Sequence, residues 1–267
     1  MADDHLSTEM EKPVLFDEFG RRVPPIIEAF VHKKIRRRFI CVQPEINYKE
    51  IYSRIRRYLQ VTDTFSVDEF KNRVEQILER LRVNLATRNI TNGVGVPFFL
   101  PRTSCTDIGS ALETNYLPAV ADSYRNRFPN YEFVNHNNGK LNGALTTVPG
   151  SRHERLLDRL ENELTVGYYF PCLLEYSVPA AVAQLETLPE YFLLGGGLDI
   201  CSALIGNPEL LFRTDGYAPL MWLAALKGSN NDIGYHFEAY GYNLTFNRRS
   251  HRGEVAEYWA SGLTILG

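Results

Sequence analysis

In the stretch DIGYHFEAYGYNLTF, His236, Glu238, Tyr240 and Tyr242 stand at every second position. On a β-strand such residues share one face. An imidazole, a carboxylate and two phenols gathered there could move protons on a bound substrate, provided the face lines a pocket. The plainer expectation is a half-exposed sheet face, so His236, Glu238 and Tyr240 stand as catalytic candidates only.

A second grouping is FLLGGGLDICSAL, where Gly195, Gly196 and Gly197 follow a short apolar run and Asp199 opens an apolar segment. Free N–H groups at a helix start attract anions, and glycine lets a phosphate come close. The pattern departs from the dinucleotide fingerprint, because Ile200 occupies the place of the third glycine, and no GKS or GKT follows. Asp199 would repel a phosphate and suits a helix N-cap instead. The corner therefore reads first as a packing turn and second as a ligand or anion site made by Gly195, Gly196, Gly197 and Asp199.

The third grouping is basic. From Arg21 to Arg57 there are eleven Lys or Arg against three acids, a local charge of +8 in a chain whose net charge is −3. The remainder carries −11, so the cations face either an anionic partner or the chain's own acids. Arg36, Arg37 and Arg38 are consecutive, and Arg54 and Arg57 share a helix face. Arg248, Arg249 and Arg252 cluster near the C-terminus in NRRSHRGE. These eight form the expected interaction surface. Nucleic acid would need such cations for phosphate contact, but no recognised nucleic-acid signature is present and stacking aromatics are thin.

Nucleophile and metal patterns are absent: there is no GxSxG and no HExxH, and no cysteine has a histidine at a family spacing. Cys41, Cys105, Cys172 and Cys201 are scattered singly and read as reduced, mostly buried thiols. No metal and no cofactor is expected. The chain has 44% hydrophobic and 23% charged residues over 267 positions, ordinary for a globular protein. No apolar run spans a bilayer and the polar, acidic start is unlike a secretory signal, so the expectation is a cytoplasmic protein with no membrane partner.

The elements that must position these residues follow from period and caps. Residues 1–23 read as a tail and a short hairpin, with Gly20 at its turn. Residues 24–90 read as a helical region. In it, PPIIEAFVHKKIRRRF carries Ile27, Val31, Ile35 and Phe39 at four-residue spacing. Asn47 with Glu50, and Ser66 with Glu69, are capping boxes, stapled by Ile46–Ile51 and Phe65–Phe70. The second helix carries Phe70, Val74, Ile77, Leu78, Leu81 and Leu85. Residues 91–267 read as a mixed α/β portion, probed by a third capping box at Ser151 and Glu154 and by a strand–helix–strand order through GYYFPCLLEYS, VPAAVAQLETL and YFLL. The segment 232–246 reads as one strand with a bulge near Gly241, paired with EVAEYWASGLTILG as a C-terminal antiparallel β-hairpin. The fold class is α+β, a helical N-terminal part packed on the mixed portion. The functional expectation is an interaction protein acting on a protein partner or a second copy of itself. Binding or turnover of a phosphate-bearing small molecule at Gly195–Gly197, and nucleic-acid binding through the basic segment, are the alternatives.

Overall fold

Two helices begin where their capping boxes place them. In the computed structural model, which describes residues 14–24 and 30–267, α1 spans Tyr48–Tyr58 and α2 spans Val67–Val83. The Asn47 and Ser66 side chains accept from the N–H groups of Glu50 and Glu69. Phe65 and Phe70 meet edge to face at 6.2 Å, completing the second staple. The stripe of α2 is buried from Phe70 to Leu81, but Leu85 lies past the helix end and is exposed.

The rest of the N-terminal region corrects the expectation. Residues 30–40 form no helix; Ile27 and its neighbours at 25–29 lie outside the described residues, as does the tail at 1–13. The segment from 30 is extended because other parts of the chain claim its backbone. The Phe30 carbonyl accepts from Ser177 N–H, and His32 N–H donates to the Glu175 carbonyl. Val31 bridges Tyr176, and Phe39 bridges Tyr217. Long-range hydrogen bonds here outweigh a weak helical preference. The expected hairpin at residues 14–23 is present, with Phe16 bridging Arg22 and Gly20 at φ +80° in its turn.

Beyond α2 the strands and helices follow as β1 (Val96–Leu100), α3 (Ile108–Ala111), a π-turn (Leu112–Tyr116), α4 (Leu117–Arg127), β2 (Phe133–Asn135), β3 (Leu145–Thr147) and α5 (Glu154–Asn162). Then come β4 (Thr165–Leu174), α6 (Val178–Ala183), β5 (Phe192–Leu194), α7 (Leu198–Gly206), β6 (Leu220–Trp222), β7 (Leu226–Gly228), β8 (Gly234–Tyr240), β9 (Asn243–Arg249) and β10 (Trp259–Leu266). The third capping box is not formed. Ser151 Oγ accepts from His153 N–H instead, and α5 starts without a side-chain cap. Arg152 at φ +59° turns the chain out of helical register just before it.

One eight-stranded sheet runs β1-β4-β10-β6-β8-β9-β2, with β5 beside β10. The C-terminal hairpin exists, but its strands are β8 and β9, turned at Gly241 and Tyr242, both at positive φ. The expected bulge near Gly241 is thus a reversal of direction. The last strand, β10, does not pair with this hairpin. It lies mid-sheet with β4 on one edge, and β6 then β5 on the other. Its sequence permits this, because all eight of its residues are buried and none is charged.

Helix α7 is buried at every position, between the sheet strands β1 and β4 and helices α1 and α4. Its Asp199 carboxylate accepts from Gly196 N–H at 3.0 Å and from the Thr264 hydroxyl of β10 at 2.6 Å. No helix among the described residues is long and apolar enough to cross a membrane.

Asp199→Ala strips the acceptor from two buried donors. Each such loss costs about 1–3 kcal/mol, so urea unfolding is expected to show a loss of about 2–6 kcal/mol, with Thr264→Val losing less.

Candidate ligand-binding cleft

The cleft begins with a turn. Asp17 Oδ1 accepts from the N–H groups of Phe19 and Arg21, closing residues 17–21 around Gly20. This aims Arg21 inward, where its side chain is 4% exposed. The guanidinium donates to the Leu174 carbonyl at the end of β4 at 2.9 and 3.0 Å, and to the His32 and Lys33 carbonyls. A planar fork with five donors in fixed directions can hold two chain segments at once with little loss of side-chain freedom. Arg21 therefore fastens the extended segment 30–47, a strap, across the sheet end. Arg22 is buried likewise, donating to the Leu15 carbonyl and Thr187 Oγ1. His32 Nδ1 meets Glu175 Oε2 beside it. Farther along, Gln43 pairs with Gly95 through both amide atoms, at 2.9 and 3.0 Å.

Between strap, sheet and α2 lies a cleft of about 600 Å³. Its floor is Tyr168 and Phe170 of β4, whose ring centroids are 4.7 Å apart. Tyr48 and the α2 residues Glu75, Leu78 and Arg82 form one wall, while Arg37, Ile40 and Cys41 form the roof. Tyr48 donates its hydroxyl to Glu75 at 2.8 Å, and Arg82 stands 4.0 Å from the same carboxylate. Arg37 has φ +54°, a conformation rarely adopted by a side-chain-bearing residue. Its guanidinium lies 4.0 Å from the centroid of the Phe19 ring, and it makes no ion pair among the described residues. Burial pushes the thiols of Cys41 and Cys172, both on this cleft, up to about 12. They are neutral thiols at physiological pH and poor nucleophiles.

A second, more polar groove of about 730 Å³ runs beside the π-turn, lined by Arg102, Cys105, Asp63, Asp107 and Asp122. Its Asp107 carboxylate is already occupied by the N–H groups of Ser110 and Gly143, which hold its pKa below the usual carboxylate range.

The glycine corner is filled from within. None of its three glycines has positive φ; they are there for close approach. A β-carbon on Gly196 would fall inside the His153 ring, one on Gly195 would stand 2.8 Å from Tyr169, and one on Gly197 2.9 Å from Leu112. The carboxylate on the corner's N–H is the chain's own Asp199. The alternating residues divide. His236 is buried, edge to face with Trp222 at 5.2 Å, and its Nε2 is 3.6 Å from Glu238 Oε2. Tyr240 is 78% exposed at the hairpin end, away from them.

The eight arginines are dispersed over several elements. Arg36, Arg37 and Arg38 ride on the strap, where Arg38 approaches Glu257 at 3.8 Å. On α1, Arg54 bonds Glu50 and the Gly206 carbonyl, while Arg57 lies over the Tyr58 ring. Arg248 is exposed, Arg249 donates to Tyr258 Oη, and Arg252 is buried. Sequence reasoning missed Tyr48, Arg82, Gln43, Tyr168 and Phe170. The run GYYF was a signal, since it places two aromatics on one strand face; nothing in the sequence marked Gln43. Set against family models, curated proteins and solved structures, the chain matches none.

Two outcomes follow from this geometry. Arg21→Gln leaves carbonyls of strap and sheet without their shared donor. Trypsin is expected to cut at Lys33–Arg38 much faster, with stability down by about 2–4 kcal/mol in urea. For His236, burial lowers the pKa first and foremost, against an opposing pull from Glu238. The unfolded chain then binds the extra proton, so the contribution is whole above the unfolded value of about 6.5 and is lost as pH falls through the folded one. Unfolding free energy measured from pH 7.5 to 5 is expected to fall less steeply in His236→Leu than in the parent.

Proposed function

We propose that the protein binds a small, planar, anion-bearing molecule in the cleft beneath the strap. The observation that carries this reading is Arg37, a cation held at left-handed φ over the Phe19 ring, in a cleft also lined by Tyr48, Tyr168 and Phe170. Such backbone conformations cost about 1–3 kcal/mol and concentrate where function requires them. The ring faces of Tyr168 and Phe170, tilted 32° to each other, suit a flat ligand, whose edge-on anion then meets the guanidinium. The volume is in the ordinary range for small-molecule sites. Gln43, locked to Gly95, offers rigidity to the roof and limits the ordering needed on binding.

A second reading keeps the cationic surface as a contact for a protein partner. Arg36, Arg57 and Arg248 are exposed with no ion pair among the described residues, and Tyr240 and Tyr242 stand exposed at the β8–β9 turn. Charge reversal at Arg57 and Arg248 would weaken such a contact and leave the cleft intact.

The decisive probe is 2-naphthoate beside its neutral analogue 2-naphthamide, titrated calorimetrically. The acid is expected to bind and the amide to bind at least about tenfold more weakly, as for loss of one charge-assisted hydrogen bond. Arg37→Gly relieves the positive φ while removing the cation. It is expected to keep the parent's stability within about 1 kcal/mol and to lose the preference for acid over amide. Equal binding of naphthoate by parent and Arg37→Gly would sink the proposal.

A further inference from the structure

A separate pocket of about 620 Å³ opens beside α6. Val148, Pro149, Pro179 and Val182 give it an apolar wall, and Lys227 of β7 and Arg252 bring two cations to it. Arg252 is the unusual member. Its side chain is only 8% exposed, yet its guanidinium makes no hydrogen bond and no ion pair among the described residues. The backbone that carries it is fixed on both sides. The Arg252 carbonyl accepts from Val178 N–H at 2.9 Å, Glu254 N–H closes the turn on the His251 carbonyl, and His251 sits at φ +65°. Asp232, the acid nearest in the lining, already accepts from His251 N–H at 3.2 Å. Glu186, the other acid, is exposed.

Arg252 thus carries a guanidinium that no protein group hydrogen-bonds among the described residues, on a side chain otherwise shielded from water and with only the charge of Asp232 beside it; an incoming anion supplies the hydrogen-bond partner it lacks. We infer that this pocket takes the carboxylate of an apolar molecule, with Arg252 gripping the carboxylate, Lys227 assisting and the Val–Pro wall covering the aliphatic part. The planar fork of Arg252 matches two carboxylate oxygens. Glu186 at the pocket disfavours a second negative charge, so monoanions are preferred over dianions. The same chemistry is presented by a free aliphatic acid and by the C-terminus of an apolar peptide. This site shares no lining residue with the cleft beneath the strap, and it stands or falls independently of the function proposed there.

The test is calorimetric titration with octanoate, octanamide, N-acetyl-Leu-Val and its C-terminal amide. Octanoate binding alone identifies a free acid as the ligand type; binding of the peptide acid identifies a chain terminus. Either is expected to exceed its amide by about tenfold or more. Arg252→Met is expected to abolish that difference while leaving 2-naphthoate binding unchanged, and Arg37→Gly to do the reverse. Ala183→Glu, on the half-buried pocket wall, adds a like charge without touching Arg252 and is expected to reduce binding as strongly. That variant decides the matter even if Arg252→Met fails to fold. Failure of both acids to bind at millimolar concentration, amides that bind as well as acids, or undiminished binding by Ala183→Glu would each overturn the inference.

Discussion

The strand formed last in the sequence holds the sheet together. β10 separates two groups of strands, β1–β4 and β6–β8–β9–β2, and among the described residues no other strand joins them in the sheet. Every residue of β10 is buried, and hydrogen bonds leave both its edges. The two halves are therefore joined only when the C-terminal residues arrive between segments far earlier in the chain. Such long-range pairing makes loop closure a major entropic hurdle. The Asp199–Thr264 hydrogen bond adds a second tie, from the buried helix α7 to the same strand. A corner that looks in isolation like an anion cradle is thus one end of a connection running through the core.

The same constraint shapes the cleft floor. Opposite β10, the register of β4 slips between Leu173 and Phe170, with Pro171 and Cys172 facing the single Gly262. Proline has no N–H for a ladder, and a bulge is where an interior strand tolerates it. Gly262 must be bare, because a β-carbon there would enter the Tyr169 ring. Tyr169 also packs on Gly195, while Tyr168 and Phe170, one position to either side, floor the cleft. Strand alternation divides three consecutive aromatics between two tasks. Tyr169 locks the glycine corner into the core, and its neighbours present ring faces to the cleft.

This division explains which parts of the structure were legible in the sequence. The caps at Asn47 and Ser66 are local: a side chain bonds an N–H three residues away, so four letters suffice. The stripe of α2 is legible for the same reason until Val83, after which a turn at Asn84 sends Leu85 to solvent. The box at Ser151 failed although its letters fit, because Arg152 is at positive φ with its guanidinium drawn to the carbonyls of Leu188, Pro189 and Phe192. The strap failed for the same reason. Its four-residue apolar spacing is real, but its backbone partners, Glu175 and Ser177, lie more than a hundred residues away. The neighbours of β10 were equally hidden, since alternation identifies a strand and says nothing about what lies beside it. At the cleft, Arg37 was legible as a charge, whereas its ring partner and its backbone conformation arise only from the fold.

The charge asymmetry resolves along the same lines. Two of the eleven cations between Arg21 and Arg57 are buried, and both spend their donors on carbonyl and hydroxyl oxygens. A carbonyl satisfies hydrogen bonds without cancelling charge, so fastening the strap with Arg21 leaves a full positive charge beside the cleft. Burial and the neighbouring Arg37 both pull the Arg21 pKa below its ordinary value; Tyr176, Glu175 and Asp17 pull the other way. Arg37 thus stands near a fixed cation, without an ion pair among the described residues, in a conformation that is itself unfavourable. Within the cleft, Glu75 is shared between Tyr48 and Arg82. An anion placed among these groups would meet the guanidinium charges of Arg21 and Arg37 besides Arg82, which Glu75 pairs; Arg21 is immovable because the strap depends on it. The device that holds the roof in place is, by its charge, also the source of the positive potential at that end of the cleft.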